Sequence, residues 1–333
     1  MSQIAIIGGG AWGTALAQVL AKGGPVGGHR VVLWLRQPTL AAHINTHRIN
    51  TTYLPHVTLS PNILATTDWH DLAGCHTVFM TVPTQHVRGV AQHAAGFIAP
   101  QARVVLGIKG IERETGKLPH DVVADYLSGR ALVLLAGPSF AGDVGVGLPT
   151  ALTLAAGEIS HADAVAHLFQ NTTLRPYTAT DMVGVALAGA MKNVLAIAAG
   201  MAMGLGLGDS ARAAIITRGL AEITRLGMAM GGQASSFMGL AGLGDVVLTC
   251  TSEQSRNYVL GLRLGQGKSL SDATATSKGV TEGVPTATAA LGLAQQWGVD
   301  LPITAAVAAV LTHQTSISAA LQGLLSRPLR SEG

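Results

Sequence analysis

Residues 3–22 read QIAIIGGGAWGTALAQVLAK. A short apolar run, Ile4–Ile7, ends in three glycines, and the stretch from Ala11 to Lys22 has a helical pattern. Gly8, Gly10 and Gly13 form a GxGxxG between the strand and the helix. Such glycines permit a tight turn, let backbone approach a pyrophosphate and pack the helix closely on the strand. The free N–H groups and partial positive charge of the helix start suit phosphate oxygens. No GK[ST] follows, so a P-loop is excluded locally. The pattern predicts a dinucleotide-binding βαβ unit.

Outward from this unit the alternation continues. Arg30–Leu35, Thr77–Val82, Arg103–Ile108, Ala131–Ala136 and Ala151–Ala155 read as strands, with helices expected over Pro38–His47 and around Thr84–Ala95. Short strands alternating with helices predict an α/β, Rossmann-like, doubly wound domain on a parallel sheet. Near Thr180 strand signals give way to Ala-rich helical stretches at 181–203, 211–230, 256–266, 286–297 and 304–322, with Gly239–Gly244 as a turn. The expected organisation is a dinucleotide-binding domain over 1–180, an all-α substrate and catalytic domain over 181–328, and a polar tail over 329–333. A length of 333 residues suits two domains at ~150 each.

Composition narrows the class. Apolar residues make up 48% and charged residues only 12%, with 42 glycines and 4% aromatics. Disorder is excluded, and the core must be built from Ala, Val, Leu and Gly with closely approaching backbones. A subunit interface would bury further apolar surface, and a homodimer is expected. The formal charge of +3 carries no basic stripe, so nucleic acid is not an expected partner. Cys75 and Cys250 lie far apart without CxxC spacing, and the N-terminus lacks the basic and apolar regions of a signal peptide; a reducing, cytoplasmic setting fits. The twelve histidines include the pair His43 and His47 at i,i+4, but no third ligand completes a metal site, and none is expected. From Met182 to Gly208 the chain is long and apolar enough to span a bilayer. Its Ala, Gly and Met content and the Lys192–Asn193 pair inside it argue for a buried core helix instead.

Four further features carry chemistry. Arg36 ends the second strand, where an NAD-selective fold usually has Asp or Glu for the ribose 2′-hydroxyl; an Arg suits a 2′-phosphate, so NADP is accepted and preferred over NAD. Lys192 is the one charged residue between Asp181 and Asp209. Desolvation lowers a lysine's pKa toward neutrality, where it exchanges protons with a reacting hydroxyl. Asp245, Thr249, Ser255, Arg256 and Asn257 follow the Gly239–Gly244 stretch, and the Ser-Arg-Asn set offers donors for a phosphate. Lys109 follows a strand and can reach the same cleft; the Gly137-Pro-Ser139 stretch also follows a strand, where its backbone amides can cradle an anion or simply form a turn. On these residues alone, a snorkelling Lys192, a surface Arg36 and a plain helix cap at Ser255 remain open.

Read together, GGGAWGTALA, VVLWLR, Val82-Pro83, IKGIERETG, AGPSFA, GAMKN, AGLGDVVLTCTSEQSRN and KGVTEG resemble the bacterial NAD(P)-dependent glycerol-3-phosphate dehydrogenases, in order over roughly residues 3–310. The resemblance implies interconversion of dihydroxyacetone phosphate and sn-glycerol 3-phosphate, supplying the glycerol backbone of phospholipids. It implies Lys192 as proton acceptor, and Lys109, Gly137, Ser139, Asp245, Ser255, Arg256 and Asn257 around a small phosphorylated substrate. Trp12, Arg36, Lys109, Ala141, Arg256, Val280 and Glu282 would contact the cofactor beside Gly8, Gly10 and Gly13. Two departures stand out: Ala11 replaces a Ser or Thr common in relatives, and the turn Gly23–Gly28 is longer than usual. Other β-hydroxyacid-type dehydrogenases share the two-domain plan, and a non-catalytic NAD(P) sensor would need the glycines but not the lysine.

Overall fold

The computed structural model describes residues 3–24, 28–275 and 279–328. Residues 25–27 of the 23–28 turn, Lys278 of KGVTEG and the 329–333 tail therefore lie outside the described residues. Eight strands form one sheet: β1 (Gln3–Ile7), β2 (Arg30–Trp34), β3 (Ile63–Thr66), β4 (Thr77–Met80), β5 (Arg103–Leu106), β6 (Leu132–Ala136), β7 (Thr150–Ala156) and β8 (Leu174–Ala179). Their order is β3-β2-β1-β4-β5-β6-β7-β8. The first six are parallel in the doubly wound Rossmann order, and the strand order reverses between β1 and β4.

Strand residues alternate between two buried faces. Ile4, Ile6, Val31, Leu33, Phe79, Val105 and Val133 pack under the Ala11–Lys22, Pro38–His47 and Ile159–Ala166 helices. Ala5, Ile7, Val32, Val78, Met80, Val104 and Leu106 face the other way. Their cluster runs without a break into the helical part of the chain, through Leu187, Met191, Leu195 and Ala199. The sheet is thus covered on both sides, as a parallel sheet requires.

Three expectations need correction. The sheet is not wholly parallel: β7 runs antiparallel to β6, with Val133 opposite Ala156, and β8 pairs parallel to β7. The β6–β7 connection contains only the six-residue Ala141–Val146 helix, about 9 Å long, too short for a crossover back along the sheet. The expected 304–322 helix is two, Pro302–Leu311 and Ile317–Leu325, broken at His313 with φ 58°. Gly239–Gly244 is not an open turn: Leu240–Gly244 forms a π-helical turn leading straight into the Asp245–Cys250 helix.

The last strand ends at Ala179 and the 23-residue Met182–Gly204 helix begins almost at once, capped by Asp181, whose Oδ1 accepts from Gly184 N at 2.8 Å. This helix is apolar enough to cross a membrane, yet 89% of its most apolar window is buried inside the protein. It lies against the Arg256–Gly265 helix along a seam of glycines. A Cβ on Gly200, Gly204, Gly261 or Gly265 would overlap the carbonyl oxygen of Tyr258, Leu262, Ile197 or Met201 respectively. The absence of side chains there lets the two backbones touch and keeps Asn193, next to Lys192, within hydrogen-bond reach of Asn257.

Candidate active site

The strand order reverses where β1 and β4 part, and the glycine turn lies there. Gly8 has φ 122°, a conformation that side-chain-bearing residues rarely adopt. A Cβ on Gly13 would overlap the Gly8 carbonyl oxygen, so helix and strand meet only because both positions are bare. Thr81, just past β4, donates its hydroxyl to Gly8 O at 3.0 Å. Gly10 caps the Ala11–Lys22 helix with no side chain satisfying its first N–H groups, and nothing lies within 4 Å of where its Cβ would be. Uncapped donors facing open space fit a bound pyrophosphate.

The other residues read as cofactor contacts sit on separate elements. Arg36 is exposed beyond the end of β2. Trp12 is half-buried against Gly107, and its Nε1 is buried without a hydrogen-bond partner among the described residues. Ala141 opens the short helix after β6, and Val280 is 41% exposed. Glu282 Oε1 accepts from Thr84 N at 2.9 Å, which ties the loop after β4 to the start of the Gly283–Gln296 helix. Arg256 is exposed at the start of its helix, and its guanidinium fills the space that a side chain on Gly279 would need.

Where the sheet meets the Met182–Gly204 helix, two lysines share one carboxylate. Lys192 is 8% exposed; its Nζ donates to Asp245 Oδ1 at 2.5 Å and to Thr249 Oγ1 at 2.9 Å. Lys109 reaches over from the end of β5, donating to Asp245 Oδ2 at 2.8 Å and to Gly137 O at 3.1 Å. Asp245 is fully buried. Burial pushes the Lys192 ammonium down to about 8; the Asp245 carboxylate opposes this and the charge of Lys109 adds to it. Burial pushes Asp245 up, but the two lysines outweigh it and hold the carboxyl below its ordinary range. Two ammonium groups thus share one carboxylate, and burial is what brings Lys192 toward neutrality.

The remaining residues act as supports. Ser139 donates to Gly137 O at 3.0 Å. Ser255 is buried and caps the Arg256–Gly265 helix, accepting from Tyr258 N at 3.2 Å. Both ends of the Asn257 amide are engaged within the protein. Its Nδ2 donates to Asn193 Oδ1 at 2.8 Å, its Oδ1 accepts from Gly283 N at 3.0 Å, and Asn193 donates onward to Lys109 O at 3.1 Å. This chain of amides joins three helices to the segment after β5 that carries Lys109. Sequence reasoning passed over Thr81 and Asn193 as partners, and left Thr249 without a role. Thr249 stands four residues after Asp245 on the same helix face, which was the available signal.

Models of the NAD-dependent glycerol-3-phosphate dehydrogenase N-terminus and C-terminus match residues 3–162 and 181–322. The chain belongs to this family. It is 47% identical over 330 residues to glycerol-3-phosphate dehydrogenase [NAD(P)+] of Parvibaculum lavamentivorans, covering 99% of this chain and 98% of that protein. The corresponding protein of Rhodospirillum rubrum is 46% identical over 334 residues, covering 100% and 95%. The crystal structure of glycerol-3-phosphate dehydrogenase from Coxiella burnetii superimposes with a TM-score of 0.92 at 37% identity, covering 98% of this chain and 99% of that one. Like the rest of its family, this dehydrogenase is an NAD(P)-dependent oxidoreductase.

Proposed function

We propose that this chain reduces dihydroxyacetone phosphate to sn-glycerol 3-phosphate, reversibly, with NADPH preferred over NADH. The observation that carries the reading is Lys192, buried and paired through Asp245 with Lys109. The 1–180 part would hold the dinucleotide, with Gly8, Gly10, Gly13, Trp12, Ala141 and Glu282 along it and Arg36 at its 2′-phosphate. The 181–328 part would supply Lys192. When bound, the nicotinamide supplies or accepts hydride at C4. In reduction, protonated Lys192 polarises the C2 ketone and gives its proton to the forming alkoxide. In oxidation, neutral Lys192 takes the proton of the C2 hydroxyl.

Asp245 orients Lys192 and keeps it protonated at neutral pH, while Lys109 adds a positive field where the oxyanion grows. Arg256, with Ser255, Asn257 and Ser139 shaping the same wall, would hold the phosphate, so that binding remote from C2 orients the reacting carbon. A homodimeric, cytoplasmic enzyme feeding phospholipid synthesis is the setting this reading implies. Lys192→Ala tests the chemistry: kcat for dihydroxyacetone phosphate reduction, followed by NADPH absorbance, is expected to fall 10²–10⁴-fold. A loss below about tenfold overturns the role of Lys192. A flat trace from the unaltered chain with both NADPH and NADH overturns the activity itself.

A further inference from the structure

Asn50 has no place in the motifs above, yet it is fully buried against the glycine turn. It follows the Pro38–His47 helix, which ends at Arg48 with φ 57°, a left-handed residue that turns the chain back toward β1. Both N–H bonds of its amide are used. Nδ2 donates to Gly9 O at 3.0 Å and to Thr14 Oγ1 at 2.8 Å, and Thr14 Oγ1 lies 3.4 Å from the same Gly9 oxygen. The Asn50 Oδ1 accepts from Tyr53 N at 3.1 Å, which fixes the amide's orientation. A peptide group is planar and trans, so its C=O and N–H point in opposite directions. Drawing the Gly9 carbonyl toward Asn50 therefore turns the Gly10 N–H away from Asn50, at a helix start that has no side-chain cap and where nothing among the described residues lies within 4 Å of a Gly10 Cβ position. Thr81 does the same for the preceding carbonyl, Gly8 O. With Ala11 at the first helical position, no side-chain hydroxyl assists the backbone there.

We infer that Asn50 is a positioning residue for the pyrophosphate: it presets the Gly9–Gly10 peptide so that the Gly10 N–H meets the anion without reorganising. The inference rests on the dinucleotide reading of this turn. Since the pyrophosphate is common to both cofactors, Asn50 serves NADPH and NADH equally, unlike Arg36 at the other end of the same connection.

The test is cofactor affinity, read from quenching of tryptophan fluorescence, alongside melting temperature and steady-state kinetics. Asn50→Ala is expected to weaken NADPH and NADH by the same factor, about tenfold, with kcat at saturating cofactor within twofold of the parent. Asn50→Asp presents no N–H donor, and only its protonated form offers an O–H. Its affinity deficit is therefore expected to shrink as pH falls, while that of Asn50→Ala stays constant. A role confined to folding would lower the melting temperature without that pH-dependent affinity. Unchanged affinity in folded Asn50→Ala, or a loss confined to NADPH, overturns the inference. If neither variant folds, Thr14→Val decides: a twofold to threefold equal loss supports it and no loss overturns it. Failure of the parent chain to bind either cofactor would instead sink the dinucleotide reading.

Discussion

Replacing Asp245 by Asn removes the negative charge shared by the buried Lys192 ammonium and the half-buried Lys109 ammonium while keeping the side chain's shape. The Asp245 oxygens lie 2.5 Å from Lys192 Nζ and 2.8 Å from Lys109 Nζ. For unit charges about 4 Å apart at an effective dielectric near 20, the lost attraction is about 4 kcal/mol. Each 1.36 kcal/mol is about tenfold in proton affinity, so Lys192 should bind its proton roughly a thousandfold more weakly. Lys192 starts at about 8. At pH 7 its protonated fraction would then fall from about nine tenths to about one hundredth. The expected result is a loss of about 100-fold in kcat/KM for dihydroxyacetone phosphate reduction at pH 7, partly recovered at pH 5. Initial rates of NADPH consumption from pH 5 to 9 measure this directly. In the parent the reduction rate falls as pH rises through about 8, and in Asp245→Asn that fall moves about three pH units lower. A variant with reduced amplitude but the parent's pH profile would refute the argument, since Asp245 would then not be what keeps Lys192 charged.

Arg36→Asp is expected to raise the KM for NADPH at least tenfold more than that for NADH, because a carboxylate repels the 2′-phosphate and accepts from a 2′-hydroxyl; equal changes would remove Arg36 from the 2′-phosphate site. Glu222 is buried under the Pro302–Leu311 helix, where its Oε1 accepts from Ile303 N at 2.7 Å. Burial raises this carboxyl to about 7 despite those backbone donors. A group raised on folding stabilises below its ordinary range, and that contribution is lost as pH rises through about 7. The melting temperature of the parent is therefore expected to fall between pH 5 and 8, and that of Glu222→Gln to stay flatter, a difference of up to about 3 kcal/mol. Parallel pH curves would refute it. Gly200→Ala, which drives a methyl into the Tyr258 carbonyl, is expected to destabilise by about 3 kcal/mol or more in chemical denaturation; a loss under about 1 kcal/mol would show that the seam can open.

How far the sequence carried depends on where each signal resides. Pro38–His47 is found with the bounds that its Pro and its periodicity predict, and Arg30, Thr77 and Arg103 each begin a strand as read. Those elements are buried and therefore patterned. β3 and β8 escaped because they are the two outermost strands. ILAT is four residues long, and LRPYTA contains a Pro and keeps only Leu174 buried, so neither stands out as an apolar run. The direction of β7 is invisible in its own residues, since it is set by the shortness of the Ala141–Val146 helix.

In the site, Lys192 and Asp245 stood out because charge is scarce around them. Asn193, Asn257 and Thr81 did not reveal what they bind. Their partners lie 84, 64 and 73 positions away in the chain, and an amide or hydroxyl in an apolar stretch says only that some partner exists.

The glycine seam between the Met182–Gly204 and Arg256–Gly265 helices ties durability to turnover in an unusual way. In many enzymes a stabilising change stiffens a site that must flex, and activity falls. Here the contact that resists unfolding also sets the spacing of Asn193, the neighbour of Lys192, and Asn257, carried on opposite helices. A methyl added at Gly261 would widen both at once. Variants selected from this chain for heat tolerance should leave those four glycines untouched, and heat tolerance and catalytic rate should rise and fall together along them.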